Sequence, residues 1–312
     1  MLLIKNRVVS VRSLVCLVIF FSLSAKESEE WPKAVVQPKE GNFSLPVSQQ
    51  PPTLFSFGQN LVDEGDFITW IYPVQLKGKQ KSSVELIPSF LYGLTTELSL
   101  FIELPVAVKV KNGNQTFRDF DDMLIQLEQV VYVNETVGRV NDISVVGNMT
   151  LPTGPASQGP AIELGPPTLE SSIGFGSPTF FLGVTLSSTH LDWYYFASFG
   201  GQITTFHKNK QKKFGNSFFY QGGIGKNIAY KPDKWIFNWL VEFNGVYNQR
   251  DIVNNKIDCN SGGNTIIIGP SLFFSTQKLL AQAGIAAVVT QHLFGEQLRD
   301  DYVAAAYVGW KF

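Results

Sequence analysis

The sequence predicts an all-β fold: an antiparallel transmembrane β-barrel of about twelve strands, of the Gram-negative outer-membrane type. Three observations predict it. The chain ends on a strictly alternating stretch in which Tyr302, Ala304, Ala306, Val308, Trp310 and Phe312 form one apolar face. Period-two alternation recurs along the rest of the chain, while helical periodicity is nowhere sustained beyond the N-terminal region. The connections between alternating segments also switch between short and long, as periplasmic turns and external loops do.

The terminal strand carries aromatic residues towards both ends, where aromatics collect at the two faces of a bilayer. Its closing Phe312 resembles the C-terminal recognition signal of bacterial outer-membrane barrels. Tyr302, Val308, Trp310 and Phe312 are therefore candidate assembly-signal residues, read by a barrel-assembly machinery. Composition agrees. Charged residues are 16% of the chain, against about 25% in a typical soluble domain, and aromatics are 13%, with 25 Phe. A formal net charge of −1 gives no case for nucleic-acid binding, which calls for a basic excess.

The N-terminus reads as a secretory signal over residues 1–24. Lys5, Arg7 and Arg12 supply the positive region, Leu14 to Leu23 the apolar one, and Ser22 and Ser24 the small residues before cleavage. The apolar run is too short for the roughly 20 residues that span a bilayer. Residues 25–60 form a proline-rich periplasmic linker, with Pro32, Pro38, Pro46, Pro51 and Pro52. The stretch is short and poor in apolar positions, so a mobile tail is expected rather than a plug. The barrel then occupies residues 61–312. Cys16 is lost with the signal and Cys259 remains alone, so no intramolecular disulfide forms. One cysteine and 3 scattered histidines provide no metal-binding spacing, and no cofactor is implied.

The clearest strand runs from Glu97 to Val110. Leu98, Leu100, Ile102, Leu104, Val106, Val108 and Val110 form one face, and Glu97, Glu103 and Lys109 lie on the other. A basic residue facing lipid at mid-membrane costs roughly 2–4 kcal/mol, and an acidic one less. The charged face therefore points inward. The same reading gives strands over Asp66–Leu76, Ser83–Tyr92, Thr96–Val110, Asp121–Val133, Ile143–Leu151 and Pro178–Ser188. It continues with Asp192–Thr205, Asn216–Ala229, Trp235–Tyr247, Thr265–Thr276, Leu279–Thr290 and Asp301–Phe312. In Trp235–Tyr247 an aromatic face opposes Asn238, Glu242 and Asn244. Glu97, Glu103, Lys109, Glu128, Asn238, Glu242 and Asn244 are thus the candidate lumen-facing residues, placed to set ion preference or to fill a narrow interior.

Connections after the even-numbered strands are short, apart from Asn134–Asp142, and those between strands three and four, five and six, seven and eight, nine and ten, and eleven and twelve are longer and mostly polar. Both termini then lie in the periplasm. The terminal strand should pair with the first, near Asp66–Leu76, and close the ring. The longest external loop, Pro152 to Ser177, is expected to cap the mouth or fold into the lumen. Another external loop is basic, with Lys208, Lys210, Lys212 and Lys213. It suits lipopolysaccharide phosphates or steering of anions, or is a solvated rim.

Several local motifs carry a further likeness. Tyr92-Gly93-Leu94-Thr95 stands at a turn, Leu104-Pro105 falls within the next strand, Asp121-Asp122 opens another, and Leu151-Pro152-Thr153-Gly154 closes the one after. In this order they resemble the outer-membrane transporter-like family associated with meta-pathway degradation of phenol. The likeness spans Asp66 to Phe312, although Arg118-Asp119-Phe120 replaces the family's glycine-rich stretch before Asp121. It implies a barrel that passes small, hydrophobic or aromatic molecules.

No nucleophile context surrounds His190, His207 or His292, and no Ser-His-Asp arrangement is visible from spacing, so an enzyme is not expected. The expected partners are the lipid bilayer, lipopolysaccharide, the barrel-assembly machinery and a small-molecule solute. Two readings of function follow: a channel or transporter for small solutes, or a structural or surface-interaction barrel acting through its external loops.

Overall fold

The alternating segments form the wall of a closed barrel in the computed structural model, which describes residues 51–112, 115–136, 139–154, 177–190, 192–206, 212–231 and 234–312. The expected signal peptide, most of the proline-rich linker, residues 155–176 of the longest loop, His207, Lys208 and Lys210 lie outside the described residues. The strands are β1 (Phe67–Gly78), β2 (Lys81–Gly93), β3 (Leu98–Glu103), β4 (Val106–Asn112), β5 (Gln115–Phe120), β6 (Met123–Thr136), β7 (Arg139–Leu151), β8 (Thr179–His190) and β9 (Trp193–Thr204). They continue as β10 (Lys212–Lys213), β11 (Ser217–Lys231), β12 (Trp235–Asn248), β13 (Ile252–Val253), β14 (Lys256–Ile257), β15 (Gly263–Thr276), β16 (Leu279–Leu293) and β17 (Asp300–Lys311). Segments β3 and β4 follow one another in a single barrel strand, as do β5 and β6, so the wall is a closed antiparallel barrel of 12 strands. Short β10, β13 and β14 pair separately at the external end.

The seam lies where the terminal strand predicted it. β17 pairs antiparallel with β1, with Ile68 opposite Lys311, Trp70 opposite Gly309 and Ile71 opposite Val308. The Phe312 amide donates to the Phe67 carbonyl at 3.0 Å, and the two rings lie 5.9 Å apart. Lys311 pairs with Asp66 beside them. Closure removes both open edges, which a lipid environment could not otherwise satisfy.

Strand length resolves the one irregular connection. β6 runs on to Thr136 and β7 begins at Arg139, so the stretch read as a long periplasmic connection is mostly paired strand. Polar residues of that ladder, such as Asn134 and Asn141, hid the pairing from a reading based on apolar alternation.

Two interruptions mark the wall. Pro105 has no amide to donate and breaks the strand between β3 and β4. Asp121-Asp122 separates β5 from β6, and Thr153-Gly154 caps that break. The Met123 amide donates to Thr153 Oγ1 at 2.8 Å, and the Gly154 amide donates to Asp122 Oδ1 at 3.1 Å. The motifs Leu104-Pro105, Asp121-Asp122 and Leu151-Pro152-Thr153-Gly154 are therefore neighbours in space, while Tyr92-Gly93-Leu94-Thr95 lies at the opposite turn.

Outward faces form an apolar belt, with Ile71, Leu182, Phe199, Leu272, Val308 and Trp310 exposed. Exposed apolar surface of this extent is the lipid-facing band of a membrane barrel. Part of the interior is packed with apolar side chains. Ile68, Trp70, Val74 and Leu76 of β1 meet Leu280, Val303, Ala305 and Tyr307 within one apolar cluster.

Candidate functional site in the barrel lumen

The lumen holds a piece of the chain's own N-terminus. The segment just before β1 was expected to trail in the periplasm, yet Leu54, Phe55, Phe57, Gln59 and Val62 are buried inside the ring. The linker reading thus fails for the described residues 51–60, and its physical reason is local. Leu54, Phe55 and Phe57 supply apolar side chains that the lumen covers, and the wall supplies partners for the backbone.

Two carboxylates hold that backbone. Glu242 of β12 accepts from the Leu54 amide at 2.8 Å and from the Phe55 amide at 3.0 Å, one on each oxygen. Glu128 of β6 accepts from the Gln59 and Asn60 amides, both at 2.9 Å. Between these clamps, the Phe57 amide donates to Gln221 Oε1 at 2.9 Å. Asn244 Nδ2 donates to the Phe55 carbonyl at 2.6 Å, and the Tyr72 hydroxyl donates to the Leu54 carbonyl at 2.6 Å. Ser99 Oγ accepts from Val62 N at 3.2 Å as the segment leaves towards β1. The segment therefore crosses the lumen from β12 and β1, past β11, to β6 and β3.

Irregular backbone at membrane depth needs such partners, because an unpaired buried amide or carbonyl is costly. Hydrogen bonds to charged groups contribute roughly 1.5–3 kcal/mol each, about twice the neutral value. These offset the ordering of the segment, which costs on the order of 1–2 kcal/mol per residue in backbone freedom.

Its bend is built from two residues with positive φ, Gly58 at 88° and Gln59 at 65°. A Cβ on Gly58 would also collide with Thr185 Oγ1. Phe57 packs edge-on against Phe181 at 4.8 Å and Phe219 at 6.5 Å. Gly183 and Gly200 face each other across β8 and β9, and a Cβ on either would enter the Phe57 or Phe181 ring. The wall is thus hollowed to receive the segment.

The luminal wall is two-sided. Around β1, β15, β16 and β17 it is mainly apolar, with Ile68, Trp70, Val74, Ile267, Phe273, Leu280 and Val303. Around β6 to β11 it presents Gln126, Ser144, Thr185, Ser198 and Gln221, all buried. Gln126 and Asn148 stand opposite each other there, and their amide atoms have no hydrogen-bond partner among the described residues.

Of the predicted lumen residues, Glu103, Glu128, Asn238, Glu242 and Asn244 point inward and are buried. Two do not. Glu97 sits in the turn before β3, exposed, with its amide bonded to Thr95 Oγ1 at 3.2 Å. The strand begins one residue later, so alternation does not govern it. Lys109 is exposed and outward because an irregularity intervenes: Val84 faces Lys109 while Glu85 faces Ala107, leaving Val108 as the extra residue. Val110, expected towards lipid, is consequently buried inside. A bulge shifts phase without disturbing the apolar pattern before it.

Sequence reading missed Tyr72, Ser99, Gln221 and the segment they hold. Glu85 also points inward and is buried. Alternation in β2 could have found Glu85. The Leu54-Phe55-Ser56-Phe57 run was the available signal for the segment, masked by the prolines around it. Among the assembly residues, Val308, Trp310 and Phe312 are exposed on the outer surface and Tyr302 is half-buried.

At the external rim, Lys212 pairs with Asp251 at 3.4 Å and lies 4.0 Å from the centre of the Phe214 ring, while Lys213 lies over Phe206. These two lysines are engaged within the protein. His190 bonds to the Tyr195 hydroxyl at the periplasmic end. Among the described residues no cluster of His, Cys, Asp or Glu has metal-binding geometry.

A closed antiparallel barrel with an apolar exterior and its long loops gathered at one end defines an outer-membrane β-barrel. Comparison with solved structures agrees. The chain is similar to an outer-membrane channel from Pseudomonas putida F1, with a TM-score of 0.64 and 13% identity over 84% of this chain and 99% of that one. The NanC porin is more distant, with a TM-score of 0.45 and 10% identity over 78% of this chain and 98% of that one. No protein-family model and no curated protein matches the chain.

Proposed function

We propose that this barrel is an outer-membrane channel for small hydrophobic or aromatic solutes, closed at rest by its own luminal segment. The observation that carries the reading is the double carboxylate clamp. Glu128 and Glu242 hold the segment by hydrogen bonds to backbone amides, and among the described residues its covalent link to the wall is the run into β1. A segment held this way is displaced when those bonds are exchanged for others. The apolar half of the lumen gives such solutes a surface that leaves no polar group unpaired. The motif likeness to the phenol-associated transporter-like family supports the same solute class. The fold shared with an outer-membrane channel supports passage. On this reading the protein carries no catalytic step.

The test is uptake into liposomes and conductance in planar bilayers. The intact protein should show low conductance and slow uptake of a phenol-like solute. Deleting residues 54–60 should raise both several-fold, with folding verified by heat-modifiable migration. A folded deletion variant as closed as the parent would overturn the proposal.

A further inference from the structure

The bulge that turns Lys109 outward also assembles a surface. Val108 and Lys109 together stand opposite Arg118 of β5, because Ala107 faces Asp119 while Val110 faces Phe117. Lys111, two residues on, faces Ser82 of β2, and Ser82 faces Lys77 of β1. Lys77, Lys109, Lys111 and Arg118 are all exposed. From the spacing of neighbouring strands, Lys77 and Lys111 lie about 10 Å apart, and Lys109 lies about 7 Å from Lys111 along its strand. Lys79 in the adjoining turn is exposed too.

The patch lies directly beyond the lipid-facing belt. Val108 precedes Lys109, Phe120 lies two residues from Arg118, and both are exposed apolar residues. Among the described residues the exposed carboxylates on or beside these strand ends are Asp119 and Asp301. Asp119 faces the inward-pointing Ala107 and accepts from the Phe120 amide at 2.9 Å, while Asp301 adjoins the β1 end. Cations remain in excess. They also sit on the outer surface of the wall at the external end, rather than over the mouth, so a solute approaching the lumen does not meet them.

We propose that Lys77, Lys109, Lys111 and Arg118 bind the phosphorylated disaccharide headgroup of an outer-leaflet glycolipid, whose acyl chains lie along the belt below. Charge complementarity selects the occupant. A headgroup with two phosphates presents acceptors that Arg meets in a fork and Lys as point charges. A basic cluster at the edge of a membrane-spanning surface attracts anionic headgroups. The surface is separate from Lys212 and Lys213, which already have partners at the rim. It is also independent of how the lumen works.

Native mass spectrometry of the full barrel in detergent tests the assignment, with diphosphorylated lipid A, its dephosphorylated form, phosphatidylglycerol and inorganic pyrophosphate as probes. The parent should retain one diphosphorylated lipid A. It should retain the dephosphorylated lipid and phosphatidylglycerol at least tenfold less, and excess pyrophosphate should not displace the glycolipid. K109Q/K111Q/R118Q should lose retention by at least tenfold while heat-modifiable migration and conductance stay unchanged. The single variants K111Q and R118Q should each lose several-fold, which covers a triple variant that does not fold. K212Q/K213Q should bind like the parent. Equal retention by folded patch variants, equal binding of the dephosphorylated lipid or phosphatidylglycerol, displacement by pyrophosphate, or loss in K212Q/K213Q would each overturn the proposal.

Discussion

Glu242 and Glu128 each spend both carboxylate oxygens on successive backbone amides, which makes them the most sensitive positions in the lumen. Glu242→Ala leaves two buried amides without acceptors, at about 1–3 kcal/mol per unpaired group. It should raise the open probability in planar bilayers, and Glu242→Gln should fall between it and the parent, because an amide retains one acceptor oxygen. An unchanged open probability in Glu242→Ala would contradict the clamp. Gly58→Val combines positive φ with a collision at Thr185 and should open the channel similarly while the barrel still folds. At the rim, burial pushes the Asp251 carboxyl above the usual aspartate range, against the opposing effects of the Gly215 amide and Lys212. Between the ordinary and raised values the folded protein keeps a proton that the unfolded chain has lost. This group's contribution to stability therefore falls as pH rises through that window. Hydrogen exchange at the Gly215 amide, corrected for its intrinsic rate, should show local protection declining over that range in the parent and not in Asp251→Asn. Among the luminal residues, alternation made Glu103, Glu128, Asn238, Glu242 and Asn244 legible, but not what they hold, because their partners lie far away in the chain.

At the scale of elements, β17 and β4 show what pattern reading does and does not reach. β17 alternates without interruption, and its pairing with β1 followed from that alone. Trp310 and Phe312 lie on its lipid-facing side. Replacing both by Glu places charge against the bilayer and removes the ring contact between Phe312 and Phe67. Heat-modifiable barrel should disappear from the outer-membrane fraction of cells making that variant. In β4 the apolar residues alternate through Val110, yet the extra residue at Val108 reverses the faces beyond it. Deleting Val108 should remove the bulge and leave regular pairing, with Lys109 directly after the inward-facing Ala107, still opposite Val84 and outward, and Val110 still inward. Undiminished amine labelling at Lys109 from outside would report it, and loss of labelling would count against Val108 as the bulged residue. Bulges escape sequence reading because one extra residue leaves hydrophobicity unchanged and is visible only in the partner strand.

Over the whole molecule, lipid decides the outer surface and the chain's own contents decide the inner one. The outer surface follows a rule of period two that each strand obeys by itself, so all-β class, strand number and ring closure could be read from local sequence. The luminal segment obeys no such rule. Leu54 meets an acceptor 188 residues later in the chain and Phe57 one 164 residues later. Nothing in the proline-rich composition around them announces those bonds. The sequence by itself determined the barrel and its closing strand, because alternation against lipid is a local property. Only the tertiary structure decided that the lumen is occupied and that Lys109 faces out. Those outcomes depend on which distant backbone amides find an acceptor and on how neighbouring strands register.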